Sequence, residues 1–129
     1  MRVYNKWHSM IKKELKKMNL THPQFVVLAS LAYLSQNDNE VTQVMISKLS
    51  GIDVMTVSQI LGLLEKHDFV KRKEHSRDTR AKAVILNKKG EEILQKAVPL
   101  VEQIDEIFFE KLDTDEGQFK HFLVRLNEE

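Results

Sequence analysis

The 129-residue chain contains no cysteine. This absence excludes disulfide bonds, thiolate metal sites and redox sensing through a thiol. The chain also lacks any apolar run approaching the ~20 residues that cross a bilayer, and its N-terminus has no apolar signal region. We therefore expect a cytoplasmic protein with no membrane segment.

Signatures of catalysis are missing as well. The serines and histidines lack a nucleophile elbow, a Gly-rich loop or a credible pair of carboxylates, so we expect no enzymatic activity. No histidine stands four residues from another, and no cysteine assists them, so we predict no metal site and no cofactor. A metal site assembled in space from distant histidines stays open. The histidines are His8, His22, His67, His75 and His121.

Charge is distributed unevenly along a chain whose net charge is only +1. Residues 1–18 carry a net +5, residues 19–89 a net +3, and residues 90–129 a net −7. From residue 71 to 89, eight basic residues are opposed by two acidic ones. This asymmetry indicates that only the middle of the molecule faces a polyanion such as nucleic acid.

The stretch from Thr42 to His67 predicts a helix, a tight turn and a second helix. Thr42 is a good N-cap for the first helix, and Gly51 suits its C-cap. Asp53 can cap the second helix, which should run from about Val54 to His67. Four apolar residues recur at helical spacing and form its buried stripe: Val57, Ile60, Leu61 and Leu64. A second helix with a short, polar leading face describes a helix-turn-helix that can enter a DNA major groove.

A basic hairpin follows this pair of helices. After the apolar pair Phe69-Val70, residues 71–73 begin a strand-like run, and residues 83–86 are rich in β-formers. The polar turn between them, residues 75–82, carries three cations. A basic hairpin beside a helix-turn-helix is a wing that can reach phosphates and the minor groove.

Helices should flank this central region on both sides. An amphipathic helix is predicted over residues 3–18, and a capping box, Thr21 with Gln24, begins an apolar helix that ends near Ser35. Residues 40–41 should add a short strand beside the wing. A long helix starts at Asn87 and should bend near Pro99, and a last helix covers about residues 116–126.

The outer helices expose more apolar surface than a winged-helix core of ~70 residues can cover. We therefore predict one domain over residues 1–129, with a winged helix-turn-helix at 37–87 and dimerisation helices at 3–18 and 88–127. The economical arrangement is a twofold homodimer with an obligate, apolar interface upwards of ~2,000 Å².

An ordered series of motifs resembles the multiple-antibiotic-resistance regulator (MarR) family of winged helix-turn-helix transcription factors. The matching segments are Leu20–Leu28, Val41–Gln43, Gly51–Ser58, Leu64–Lys66, Val70–Arg72, Asp78–Lys82 and Leu86–Gly90. The resemblance implies a mainly α fold with a small β-hairpin wing (α+β) and N- and C-terminal dimerisation helices. It also implies a small effector, often phenolic or aromatic. Asp68 departs from a common Gly, and Asn87 from a common Thr.

The predicted DNA-binding residues lie on the second helix and the wing. Thr56, Ser58 and Gln59 are candidates for base edges or phosphates, Val54 and Met55 for thymine methyls, and Arg77 for the minor groove or backbone. Asp78 should position Arg80, as the resemblance also implies. The full set is Thr42, Val54, Met55, Thr56, Ser58, Gln59, Lys66, Arg72, Arg77, Asp78, Arg80 and Lys82. An effector pocket is predicted at Tyr4, Trp7, His8 and Met10, with core or interface packing as the alternative.

These features predict a homodimeric, sequence-specific DNA-binding transcriptional regulator. We expect a repressor that binds a near-palindromic operator and is relieved by a small effector. Two alternatives stay open: a metal-responsive regulator of the same family, and a winged-helix protein-interaction module that never touches DNA.

Overall fold

A computed structural model describes residues 2–78 and 81–110. Five helices and three strands follow one another in this part of the chain. They are α1 (Arg2–Lys16), α2 (His22–Ser35), β1 (Val41–Thr42), α3 (Gln43–Ser50), α4 (Val54–Lys66), β2 (Val70–Glu74), β3 (Lys82–Leu86) and α5 (Lys88–Glu110). The predicted mainly α fold with a small β wing is confirmed.

The helix-turn-helix consists of α3 and α4, whose directions differ by 111°. The Thr42 side chain caps α3 by accepting from the amide of Met45, as predicted. Gly51 ends α3 with φ of 78°, a left-handed conformation that glycine adopts without a steric penalty. No single described helix is long and apolar enough to span a membrane, and α3 and α4 reach that length and composition only as a bent pair.

The three strands form an antiparallel sheet in the order β1-β3-β2. Val41 of β1 pairs with Val84 of β3, and Arg72 of β2 pairs with the same residue from the other side. The predicted short strand at residues 40–41 is therefore real but lies one residue later. The sheet ties the segment before α3 to the wing, so the wing and the helix-turn-helix are one unit.

The core lies where α2 crosses the other helices. α2 is apolar nearly all round, and its Val27, Leu28 and Leu31 are fully buried. The predicted stripe of α4 packs against it with three fully buried side chains, Val57, Leu61 and Leu64. The capping box at the start of α2 is confirmed, since Thr21 and Gln24 each accept a backbone proton from the other.

The turn from α4 into β2 explains both departures from the family pattern. Asp68 has φ of 62°, the conformation that a glycine would adopt most easily, and short polar side chains such as Asp tolerate it. Asn87 donates from its side-chain amide to the Asp68 carbonyl and from its backbone to the Phe69 carbonyl. The start of α5 is thus fastened to the end of α4.

Several predicted boundaries shift in the structure. α1 ends at Lys16 rather than residue 18, because the chain turns there and Asn19 adopts a positive φ. α4 ends at Lys66 rather than at His67, and β2 begins at Val70 rather than at residue 71. α5 continues through Pro99 to Glu110. The predicted helix at 116–126 lies outside the described residues.

Gly90 gives a test of the junction between α5 and the α4–β2 turn. A Cβ there would lie 2.3 Å from the Phe69 carbonyl oxygen, so Gly90→Ala should lower the free energy of unfolding by about 1–3 kcal/mol. Gly62→Ala in α4 is the matched control, because its Cβ would meet only the Arg72 guanidinium at 3.6 Å. It should stabilise by about 0.5–1 kcal/mol. Urea denaturation measures both changes, and a Gly90→Ala protein as stable as the Gly62→Ala protein would contradict this packing.

Candidate DNA-binding interface

The leading end of α4 projects from the fold. Met55 is 74% exposed and Val54 is 41% exposed. Gln59, one turn later, is also exposed, and Lys66 is exposed at the other end of the helix. Three of the predicted base-contacting residues, Val54, Met55 and Gln59, are therefore exposed together at this end of α4.

Two hydrogen bonds join Asp53 and Thr56 at this end of α4. The Thr56 amide donates to Asp53 Oδ1 at 2.9 Å, and the Thr56 hydroxyl donates to Asp53 Oδ2 at 2.7 Å. The hydroxyl bond, and then the amide bond, hold the pKa of Asp53 below its ordinary value. The carboxylate is consequently ionised at neutral pH and stays exposed beside Met55.

Arg72 joins the wing to both helices of the helix-turn-helix. Its guanidinium pairs with Glu65 of α4 at 2.7 Å and donates to Gln43 of α3 at 3.1 Å. It also donates to the carbonyl and hydroxyl oxygens of Ser58 at 3.2 and 3.1 Å. The Arg72 side chain is only 23% exposed. One planar cation thus connects β2, α3 and α4 through several charge-assisted hydrogen bonds.

These contacts hold Arg72 inside the protein, whereas the sequence predicted it as one of the DNA-binding residues; that DNA contact stays a prediction. Strand alternation explains this placement: Val70 is buried, and Arg72, two residues later, lies on the same face of the strand, toward α4. Apart from this alternation, nothing in the sequence distinguishes Arg72 from the two lysines beside it. Glu65 and Gln43 were missed for the same reason, since their partner is reached only through the folded sheet.

The wing tip is held by a second polar cluster that the sequence did not reveal. Glu40, before β1, accepts from the amide of Ser76 at 2.9 Å and from the Ser76 hydroxyl. These bonds lower the pKa of Glu40. His75 Nδ1 accepts from the amides of Arg77 and Asp78 at 3.1 and 3.3 Å, while its Nε2 lies 3.7 Å from Glu40. The backbone around Arg77 is therefore held by hydrogen bonds to Glu40 and His75.

The exposed cations of the wing lie on both strands and at the tip. Arg77 and Asp78 are exposed at the turn, and Lys82 is exposed where β3 begins. Lys71 and Lys73 are exposed on the face of β2 opposite Arg72. Arg80, and with it the predicted Asp78–Arg80 pair, lies outside the described residues.

Two predicted DNA-binding hydroxyls are already used within the protein. Thr42 Oγ1 accepts from the Met45 amide at 3.2 Å as the cap of α3. Ser58 Oγ accepts from Arg72. Both side chains are partly buried, so they lie behind the exposed surface formed by Met55 and Gln59.

The predicted effector residues of α1 belong to a packed cluster. Trp7 Nε1 donates to Asp105 of α5 at 2.6 Å, and its ring meets the edge of His22 of α2. The Nδ1 atoms of His8 and His22 lie 3.3 Å apart. Burial, followed by the neighbouring His8, lowers the pKa of His22, while Asp105 raises it. These contacts correspond to the packing alternative, and Met10 likewise packs against the core. The side chain of Tyr4 lies outside the described residues.

A cavity lies on the side of α2 that faces α5. Its volume is about 680 Å³, and it is lined in part by Tyr33, Leu94 and Val98. Of the predicted effector residues whose side chains are described, Trp7, His8 and Met10, none lines it. Within residues 2–78 and 81–110, no three histidine, aspartate or glutamate side chains converge as metal ligands would.

Comparison with known proteins agrees with this geometry. Residues 16–104 match the family of ArnR1-like winged-helix domains. The uncharacterized HTH-type transcriptional regulator YdcH of Bacillus subtilis is 36% identical over 80% of this chain and 70% of its own. The transcriptional regulator HosA of Escherichia coli is 28% identical over 83% and 76%.

Solved structures share the fold over nearly the whole chain. The Staphylococcus aureus MepR–DNA complex superposes with a TM-score of 0.84 at 21% identity, covering 97% of this chain and 90% of that one. A mutant MarR from Escherichia coli, complexed with operator DNA, gives 0.82 at 23% identity over 96% and 86%. BpsR of Bordetella bronchiseptica gives 0.83 at 25% identity over 99% and 89%.

A capped helix-turn-helix with an exposed reading end and a basic wing defines a winged helix-turn-helix protein. The resemblance to the MarR family is confirmed by these comparisons. The chain belongs to the ArnR1-like winged-helix family, and it has the fold of the MarR and MepR structures.

Arg72→Met tests whether this cation fastens the wing to α4. The substitution keeps much of the side-chain volume but leaves Glu65 without its partner, so the free energy of unfolding should fall by about 1–3 kcal/mol. Lys71→Met, at the exposed neighbouring position, is the matched control and should change it by less than about 0.5 kcal/mol. Thermal unfolding curves that coincide for the two variants would remove Arg72 from this role.

Proposed function

We propose that the chain is a homodimeric repressor that binds a near-palindromic DNA operator and is released by a small organic effector. Each subunit inserts the leading end of α4 into a major groove, with its wing against the flanking backbone. Half-sites then lie about one helical turn apart, ~34 Å. The protein acts in the cytoplasm and has no catalytic role.

The observation that carries this proposal is the joint placement of two surfaces. The exposed end of α4, which carries Met55 and Gln59, is a single α-helix, and the major groove of B-DNA is wide enough to admit one. The exposed cations of the wing, which include Arg77, are held in a fixed position relative to this end of α4. They are fixed because Arg72 of β2 bonds to Glu65 of α4. Phosphate contacts from such a wing set the position of the helix in the groove.

The comparisons supply further support. MepR and the MarR mutant, which share the fold of this chain, were each solved in complex with DNA. The BpsR structure concerns regulation of DNA binding by 6-hydroxynicotinic acid, an aromatic acid. By analogy, an aromatic or phenolic effector suits this chain as well.

The cavity between α2 and α5 is where we propose that the effector binds. It lies against α5, whose first turn is hydrogen-bonded to the α4–β2 turn through Asn87. A ligand that shifts α5 therefore moves the end of α4. A coupling of about 1–3 kcal/mol, roughly 5- to 150-fold in DNA affinity, would suffice for regulation. This proposed site differs from the pocket predicted at Tyr4, Trp7, His8 and Met10, which stays a prediction.

The two alternatives make different demands on the molecule. A metal-responsive regulator needs converging ligands, and residues 2–78 and 81–110 supply no such group. Zinc titration of the chelator-stripped protein by calorimetry addresses that case. A protein-interaction module would not need an exposed basic wing, and it would bind no duplex at any salt concentration.

Homodimer formation is tested by mass in solution. The apolar residue Ile107 of α5 is 45% exposed in the single chain, as expected for a helix that continues into an interface. Light scattering at micromolar concentration should give twice the 15.1 kDa mass of the chain. A mass that stays at one chain would overturn the dimer and the two-half-site geometry with it.

Arg77→Ala tests the wing as a phosphate contact. Affinity should fall for every duplex sequence, and the slope of log affinity against log salt should decrease by about one for each lost contact per subunit. Lys96→Ala, which removes an exposed cation of α5, is the matched control and should leave both quantities unchanged. Fluorescence titration of a labelled duplex at several salt concentrations measures both. Identical behaviour of the two variants would contradict the proposed wing contact.

A further inference from the structure

At the leading end of α4, Thr56 donates both its hydroxyl proton and its amide proton to the carboxylate of Asp53. The hydroxyl of Thr56 has a single proton, and it is donated to Asp53 Oδ2. The amide proton of Thr56 goes to the other carboxylate oxygen. Thr56 can therefore offer an incoming ligand only lone pairs, and the ionised Asp53 can only accept. The pair forms an exposed acceptor surface next to Met55, on the helix that enters DNA.

Most groups on a DNA duplex are unsuitable partners for such a surface. Phosphate oxygens are negatively charged acceptors and are repelled by the carboxylate. In the major groove, guanine presents the acceptors N7 and O6, and thymine presents the acceptor O4. Only the amino groups of adenine N6 and cytosine N4 donate there.

Cytosine fits better than adenine for a local reason. The N6 amino group of adenine lies beside its N7 acceptor, which would face the same carboxylate and hydroxyl oxygens. Cytosine N4 is flanked by its own C5–H on one side and by the O6 of the paired guanine on the other, whereas adenine N6 lies between two acceptors, its own N7 and the thymine O4. A G·C pair can thus be read from its cytosine side, which agrees with the absence of arginine from residues 53–66.

We propose that Asp53, held by Thr56, is a specificity-determining residue that accepts a hydrogen bond from the N4 amino group of one cytosine in each half-site. The inference rests on the proposed function, because it needs α4 to lie in a major groove. Asp53 also caps α4, and capping alone would leave base preference untouched. The two roles are therefore separable by experiment.

The test is a selection of bound duplexes from a random pool, run in parallel on the wild-type protein, Asp53→Asn and Glu106→Gln. Asn is as good an N-cap as Asp, but its amide can donate as well as accept, so α4 stays intact while the acceptor surface is lost. Glu106→Gln removes one exposed carboxylate from α5 as the matched control.

The wild-type protein and Glu106→Gln should both select cytosine at the same position of each half-site. In titrations, replacing that cytosine by thymine should cost them about tenfold or more in affinity. For Asp53→Asn the same replacement should cost about threefold or less, with preference at other positions unchanged. Its affinity for unrelated duplexes should stay equal or rise, because a negative charge near the phosphates is gone.

Variants of Thr56 provide a second arm. Thr56→Ser keeps the hydroxyl and should retain the cytosine preference, whereas Thr56→Val removes it and should weaken the preference. Asp53→Ser replaces Asp53→Asn if melting curves show that the Asn variant is not folded. An unchanged base profile in a folded Asp53 variant overturns this inference and leaves the proposed function standing. Failure of the wild-type protein to bind any duplex overturns the proposed function itself.

Discussion

The position of the reading helix depends on the ion pair between Arg72 and Glu65. The short turn at residues 67–69 joins α4 to β2, and by itself it would allow several angles between the wing and α4. The Arg72 guanidinium removes that freedom by bonding to Glu65, Ser58 and Gln43 at once. Because the side chains are partly buried, water competes weakly for these bonds. In the proposed complex, the wing and α4 would therefore meet DNA as one rigid body, with the distance between the groove contacts and the backbone contacts fixed in advance.

A second constraint links this unit to the helix that is proposed to form the dimer. Asn87 and Gly90 hold the first turn of α5 against the α4–β2 turn, where Phe69 is buried. Any change in the tilt of α5 is consequently transmitted to the end of α4. In a twofold dimer the same displacement occurs in both subunits, so the spacing of the two reading helices changes with it. This is a physical route from a cavity beside α5 to DNA affinity.

Much of this architecture could be predicted because it depends on local signals. Caps at Thr21, Thr42 and Asp53, the apolar period of α4 and the β-formers at residues 83–86 specify elements without tertiary information. The polar clusters could not be predicted in this way. Within a run of three basic residues, the sequence alone does not show that Arg72 turns toward α4 while Lys71 stays exposed. Glu40 contacts Ser76 only once β1 and β3 have paired. The effector residues on α1 were predicted from aromatic and polar character, which a packed interface between helices shares.

In the proposed dimer, two copies of α4 are held one turn of duplex apart. The absence of cysteine makes this spacing directly measurable, because Leu63→Cys on the exposed side of α4 gives each subunit a single site for a spin label. Pulsed dipolar spectroscopy of the free protein should show one distance within about 10 Å of the ~34 Å repeat. That distance should narrow in distribution when duplex is added. No dipolar coupling, or a distance that duplex leaves far from this repeat, would contradict the account.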